Sequence, residues 1–142
     1  MEATNSFNSK NQDNFMIKWL EKNRKGSLIL TLLIAIEIFL FSSRTGSSFS
    51  GITTNAYSII YHFVVFFLFN FFLLNTIDGS KKIKLKTILI ALVISTIYAL
   101  SDEFHQSFIL GRSCSLEDIL TDMAGILLSI IIYIINKNKN KK

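Results

Sequence analysis

Four long apolar blocks, separated by short polar segments, constrain this chain more than any other feature. They run over Ser27–Ser43, Ala56–Ile77, Thr87–Leu100 and Leu116–Ile135. Three of them come near the ~20 residues that cross a ~30 Å hydrocarbon core. The third is shorter, but the flanking lysines at its start can snorkel and lengthen it. No block has the polar face of a soluble amphipathic helix. The sequence therefore predicts an all-α integral membrane protein with four transmembrane helices.

The distribution of cations predicts the orientation of these spans. Lys and Arg number five before the first span, then one, four and one in the successive loops, and four after the last span. By the positive-inside rule, both termini and the middle loop are cytoplasmic (N-in/C-in). The predicted organisation is a cytoplasmic juxtamembrane segment (1–26), a transmembrane domain (27–135) and a basic cytoplasmic tail (136–142). The cations that give the net charge of +5 lie in the segments that flank the apolar blocks. This distribution favours a lipid bilayer as partner and argues against nucleic acid.

Ionisable residues within the spans gather in the outer half. At ~1.5 Å per residue, Glu37, His62 and Asp122 each lie about 9 Å inside the outer boundary, and Asp102 and Glu103 follow the third block at a similar level. An ionised side chain facing lipid costs roughly 2.5 kcal/mol or more. We therefore expect these groups to point inward and to pair with one another or line a wet cavity.

Two spans carry stripes of polar and small residues at helical spacing. On the fourth span the stripe is Asp118, Asp122, Gly125 and Ser129, and on the third it is Ser95, Ala99, Asp102 and Gln106. Residues at this spacing share one helix face. The two stripes are therefore expected to face each other, with His62 at the same level and Gly125 allowing close approach of two helices.

Three patches resemble the VanZ-like family: FSSRTGS after the first span, His62 in the second, and DEFHQSFILGRSCSLEDILTDMAGILLS across the third and fourth. The resemblance implies a bacterial plasma-membrane protein of the cell envelope. The family's founding member is linked to low-level teicoplanin resistance, and no reaction comes with the name. The candidate functional cluster comprises His62, Asp102, Glu103, His105, Gln106, Arg112, Asp118 and Asp122, with Glu37, Ser42, Ser43, Gly111 and Gly125 in support.

Three functions for this cluster remain open. The favoured one is an outward-facing pocket for a cell-envelope ligand, such as a lipid-linked cell-wall precursor, whose phosphate or carboxylate would meet the cations. The second is an intramembrane hydrolase or transferase, because acids crowded beside histidine suit general acid/base catalysis. The third is a polar cluster that only fixes helix register. For Arg112, a salt bridge to Asp118 is an alternative or additional role.

No metal or cofactor is expected from the sequence. Asp102 and His105 have the i, i+3 spacing of carboxylate-bridged helix bundles, but those sites use the motif twice and this chain has it once. A zinc signature and a paired cysteine are both absent from the sequence.

Overall fold

The computed structural model describes residues 23–45, 54–78 and 83–139. Within them lie four helices: α1 (Arg24–Ser42), α2 (Thr54–Ile77), α3 (Leu85–Gln106) and α4 (Leu116–Lys139). All four contain a stretch long and apolar enough to cross a membrane. The predicted all-α, four-span architecture is therefore confirmed. Most of the predicted juxtamembrane segment, and the end of the predicted tail, lie outside the described residues.

Two helices continue beyond the C-terminal ends of the apolar blocks that predicted them. α3 continues past Leu100 to Gln106, and α4 continues past Ile135 to Lys139. In α3 the additional polar residues Asp102, Glu103 and Gln106 are buried, so they extend the interior face instead of ending the helix. Hydropathy alone underestimates such a helix because it scores these buried polar groups as if they faced lipid.

Interhelical hydrogen bonds define an up-and-down arrangement. At the start of α1, Arg24 Nε donates to the Thr76 carbonyl near the end of α2. At the other end of α1, Ser42 Oγ donates to Asp102 in the last turns of α3. We call the end formed by the last turns of α1 and α3 and the first turns of α2 and α4 the polar end, and the opposite end the basic end. The N-in/C-in orientation, which would place the polar end outside, stays a prediction.

Helix α2 is the central element of the bundle and packs most extensively against α4 and α1. Its residues Phe66, Phe69 and Leu74 form the core with Ile126 and Tyr133 of α4. Large apolar side chains also cover the outer surface, such as those of Leu28, Leu32, Ile36, Leu40, Ile60, Val93, Ile97 and Ile131. This distribution is the one a lipid solvent favours, since apolar faces need not be hidden from it.

A layer of polar side chains crosses the middle of the bundle. Asn70 of α2 donates through Nδ2 to Ser129 Oγ of α4 at 2.6 Å, and Ser95 Oγ of α3 donates to Asn70 Oδ1 at 2.8 Å. All three residues are buried. Because a displaced helix would leave these groups unpaired in a low-dielectric interior, the layer fixes the register of three helices.

Gly125 is the point of closest approach between α2 and α4. A Cβ atom at this position would overlap the Phe63 carbonyl oxygen and lie 3.0 Å from the Phe67 backbone nitrogen. Both neighbours are backbone atoms of α2, which cannot rotate away as a side chain can. The glycine therefore sets the distance between the two helices, as predicted for Gly125. The prediction that the stripes of α3 and α4 face each other is wrong, because the α4 stripe faces α2 through Asp122, Gly125 and Ser129.

We predict that Gly125→Val destabilises the bundle by roughly 1–3 kcal/mol or more, because the added side chain must push two backbones apart. Ala124→Val adds a comparable side chain at the neighbouring, exposed position and should change stability by less than about 0.5 kcal/mol. Thermal unfolding in detergent compares the two variants. Equal stability would contradict the close approach.

The orientation prediction has a direct test in Cys114. It is the chain's one cysteine, and it is exposed at the polar end. A membrane-impermeant maleimide should label it in intact cells. In a Cys114→Ser background, Lys86→Cys at the basic end should react only after permeabilisation. The reverse pattern would overturn the N-in/C-in prediction.

Candidate functional site

At the polar end, α1 and α3 are joined by a buried group of hydrogen bonds. Asp102 accepts from Ser42 Oγ at 2.6 Å and from Gln106 Nε2 at 2.9 Å. Gln106 Nε2 also donates a hydrogen bond to Ser42 Oγ at 3.2 Å. All three side chains are buried, and both oxygens of the Asp102 carboxylate have partners. The geometry gives this carboxylate a clear structural role in holding α3 against α1.

Arg112 follows Gly111 in the turn after α3. Gly111 has a φ of 78°, a conformation that L side chains rarely adopt. The Arg112 guanidinium donates through Nε to the Arg44 carbonyl at 3.1 Å, through Nη2 to the Phe41 carbonyl at 3.3 Å, and through Nη1 to Gln106 Oε1 at 3.2 Å. A cation at these carbonyls complements the negative end of the α1 dipole. Among the described residues Arg112 forms no ion pair with Asp118, so the alternative role as a salt-bridge partner is not seen, and Arg112 caps α1 instead.

A second group joins α2 to α4 through an Asp–His pair. His62 Nδ1 lies 2.9 Å from Asp122 Oδ1, and the two residues are only 2% and 0% exposed. The sequence prediction that these residues share one level is confirmed by this contact. Because Nδ1 faces a carboxylate, the other ring nitrogen, Nε2, remains for a different partner.

Glu103 links α3 to the start of α4. Its Oε2 accepts from the Ser115 backbone N–H at 2.8 Å, and Ser115 Oγ in turn accepts from the Asp118 N–H in the first turn of α4. A carboxylate beside a helix N-terminus is favoured by the helix dipole. The second oxygen, Glu103 Oε1, is buried without a hydrogen-bond partner among the described residues, as is Asp122 Oδ2.

Two of the predicted residues belong to neither of these groups. Glu37 accepts from Tyr61 Oη at 2.8 Å near the surface. His105 lies within hydrogen-bonding distance of Ser43 Oγ, at 3.1 Å through Nε2, and its ring stacks on Phe39. The first contact joins α1 to α2, and the second joins the end of α1 to α3. The structure therefore brings His62, Glu103, Asp118 and Asp122 into one group and leaves His105 and Glu37 outside it.

A cavity of about 370 Å³ lies at the polar end. Its lining includes the cationic residues Arg44 and Arg112 and the acidic residues Glu117 and Asp118. The remaining lining residues are Phe41, Thr45, Tyr57, Ser58, Ile59, Gln106, Gly111, Ser113 and Ser115. The cavity thus offers both signs of charge together with an aromatic ring.

A polar cluster at the basic end was not predicted. Asp78, directly after α2, accepts from Tyr133 Oη at 2.6 Å and pairs with Lys137 Nζ at 2.8 Å. All three residues are buried, although the apolar blocks predict Asp78 in the middle loop and Lys137 in the basic tail. The i, i+4 spacing of Tyr133 and Lys137 was the available signal, but their partner comes from another helix.

The Ser42–Asp102 bond predicts a measurable difference between two adjacent serines. Ser42→Ala removes a donor from a buried carboxylate and should cost roughly 1–3 kcal/mol. Ser43 is only partly buried, so Ser43→Ala should cost less than about 1 kcal/mol. Unfolding of both variants in the same detergent checks this, and a larger loss for Ser43→Ala would contradict the assignment.

Comparison with known proteins identifies the family. No curated protein and no solved structure matches this chain. The family model described as VanZ/LLP1 matches residues 6–137, which covers all four helices except the last two residues of α4. The resemblance expected from the sequence patches is thereby confirmed, and the chain belongs to the VanZ/LLP1 family.

Proposed function

We propose that this protein lies in the bacterial plasma membrane with its polar end outside, and that the polar-end cavity binds the anionic head group of a cell-envelope lipid, such as a lipid-linked cell-wall precursor. The observation that carries the proposal is the position of Arg112 on the cavity wall.

Arg112 retains hydrogen-bonding capacity for a ligand. A guanidinium has five N–H donors, and three are used within the described residues. The two that remain belong to Nη1 and Nη2, which suits the oxygens of a phosphate or carboxylate. Arg44 lies nearby, and both guanidinium carbons are 5.5 Å from the centroid of the Phe41 ring. Two cations on one wall favour an anion over a neutral ligand.

The acidic lining residues favour a ligand that also carries hydrogen-bond donors. Glu117 and Asp118 can accept hydrogen bonds there, and Ser58 and Tyr57 add hydroxyl groups. A ligand that carries a phosphate together with amines or hydroxyls would match both the cationic and the acidic lining residues. Cell-wall precursors with sugar or peptide groups are ligands of this kind.

An apolar groove beside the cavity supports a lipid ligand. It lies between α2 and α4 and is lined by Ile59, Ile60, Phe63, Leu120, Thr121 and Ala124. Ile59 lines both the groove and the cavity. An acyl or prenyl chain in the groove would therefore continue into a head group in the cavity. Binding of such a precursor would change what a glycopeptide meets at the cell surface, which is how the protein would affect teicoplanin susceptibility.

A second candidate function, hydrolysis or group transfer on the same lipid, is favoured by one observation. The His62–Asp122 pair has the form of a general base held by a carboxylate. The two functions predict different lipids bound to the His62→Gln variant. If the protein only binds lipid, the wild type and the variant should retain the same lipid. If the protein catalyses a reaction, the variant should accumulate the intact substrate. If the cluster has only a structural role, the His62→Gln variant should unfold, and the folded wild-type protein should carry no bound lipid.

Native mass spectrometry of protein extracted from its own membranes in mild detergent tests the binding function. A co-purifying anionic lipid should be seen, and Arg112→Ala should reduce its occupancy by about 10-fold or more, since a hydrogen bond to a charged group contributes roughly 1.5–3 kcal/mol. Arg112→Lys should bind at an intermediate level, because it keeps the charge and loses the fork.

Lys86→Ala is the matched control, because it removes a cation at the basic end. It should leave lipid occupancy unchanged. Equal loss in Lys86→Ala and Arg112→Ala would indicate a general electrostatic effect and would contradict the pocket. Undiminished lipid in folded Arg112→Ala would contradict it as well.

A further inference from the structure

We propose that His62, Glu103 and Asp118 form a binding site for a divalent transition-metal ion, with Zn²⁺ as the ion that their donor atoms favour. The three residues come from α2, α3 and α4, and one donor atom of each lies within 4.8 Å of the other two. The site does not rest on the proposed lipid function, since Asp118 is its only member on the cavity wall.

The unpartnered oxygen of Glu103 is an independent sign of a missing ligand. Glu103 is only 1% exposed, and its Oε1 has no hydrogen-bond partner among the described residues. Its other oxygen is held by the Ser115 N–H. A buried carboxylate oxygen without a partner is costly, and a cation at this point would remove the cost.

The Asp122 contact prepares His62 to act as a ligand. Asp122 Oδ1 engages Nδ1 at 2.9 Å, which leaves the Nε2 lone pair for coordination. A carboxylate that orients a histidine in this way is the usual outer partner of a metal-bound imidazole. We therefore assign Asp122 as a positioning residue.

Asp118 completes the set and gives access to the site. It is partly buried and lines the cavity. Its carboxylate takes part in no hydrogen bond or ion pair among the described residues; the side-chain contact next to it is the bond from its backbone N–H to Ser115 Oγ. An ion entering from the cavity would meet Asp118 first, and this freedom lets the side chain close on it.

The donor types decide the class of ion. One imidazole nitrogen and two carboxylate oxygens form the three-ligand set typical of an open zinc site, with a position left for water or a ligand oxygen. Mg²⁺ and Ca²⁺ prefer all-oxygen sites. Ligand atoms bonded to zinc at ~2.0–2.2 Å lie roughly 3.4 Å apart in a tetrahedron, so the donor atoms, which lie within 4.8 Å of one another, would move closer together when the ion binds.

The helical pair considered from the sequence does not form this site. Both oxygens of Asp102 are engaged by Ser42 and Gln106, and His105 Nε2 contacts Ser43. The donors that do converge come from three different helices. The spacing of these three residues along the chain therefore forms no metal-binding sequence motif.

Zinc uptake by the full-length protein tests the proposal. Protein purified with a histidine-free tag is stripped with chelator, titrated with ZnCl₂ and analysed by plasma mass spectrometry, with affinity measured against a competing chelator. We expect one Zn²⁺ per chain. Glu103→Gln and His62→Ala should lose it, and Asp122→Asn should bind about 10- to 100-fold more weakly.

Asp118→Asn is the decisive variant. It breaks no hydrogen bond of the described fold, but it should still lower the affinity for Zn²⁺ at least 10-fold. Glu117→Gln removes the adjacent exposed acid and should bind zinc as the wild type does. Arg112→Ala should also keep its zinc, which separates failure of the lipid pocket from failure of the metal site. Absence of saturable zinc in the wild type, or unchanged affinity in Asp118→Asn, would overturn the proposal.

Discussion

Hydrogen bonds and ion pairs between polar side chains hold this bundle in register, because lipid solvates an apolar helix face as well as the bundle interior does. Three such layers follow one another along the bundle. The Asp102 and Asp122 groups lie at the polar end, the Asn70 group in the middle, and the Asp78 group at the basic end. Gly125 brings α2 and α4 close enough for the layers that involve both helices. Apolar packing then fills the space that these contacts define.

The three layers are not equivalent. Asn70 has partners from α3 and α4, and its role in register accounts for its burial. At the polar end, Glu103 and Asp122 each keep a buried oxygen without a described partner. Groups that serve structure alone are normally satisfied within the protein. The unsatisfied oxygens therefore distinguish the group of His62, Glu103, Asp118 and Asp122 from the Asp102 group. Asp118 of the first group also lines the polar-end cavity, which carries both signs of charge.

Much of the fold could be predicted from the sequence, because span length and hydropathy are local properties. The depth argument also placed His62 and Asp122 at one level, and they form a contact. Partner choice could not be predicted in the same way. Periodicity tells which residues share a helix face but not which helix that face meets. Arg112 thus contacts the end of α1 instead of Asp118, and the buried partner of Lys137 is Asp78.

The coupling energy between His62 and Asp122 tests most directly the claim that polar side chains couple the helices. A double-mutant cycle with His62→Leu, Asp122→Leu and the double variant, measured as unfolding free energy in one detergent, isolates that coupling. Each single change leaves a buried polar group alone, so we predict that the double variant loses less stability than the two single losses combined, by about 1 kcal/mol or more. Additive losses would contradict the account, because they would mean that this buried polar contact does not couple α2 to α4.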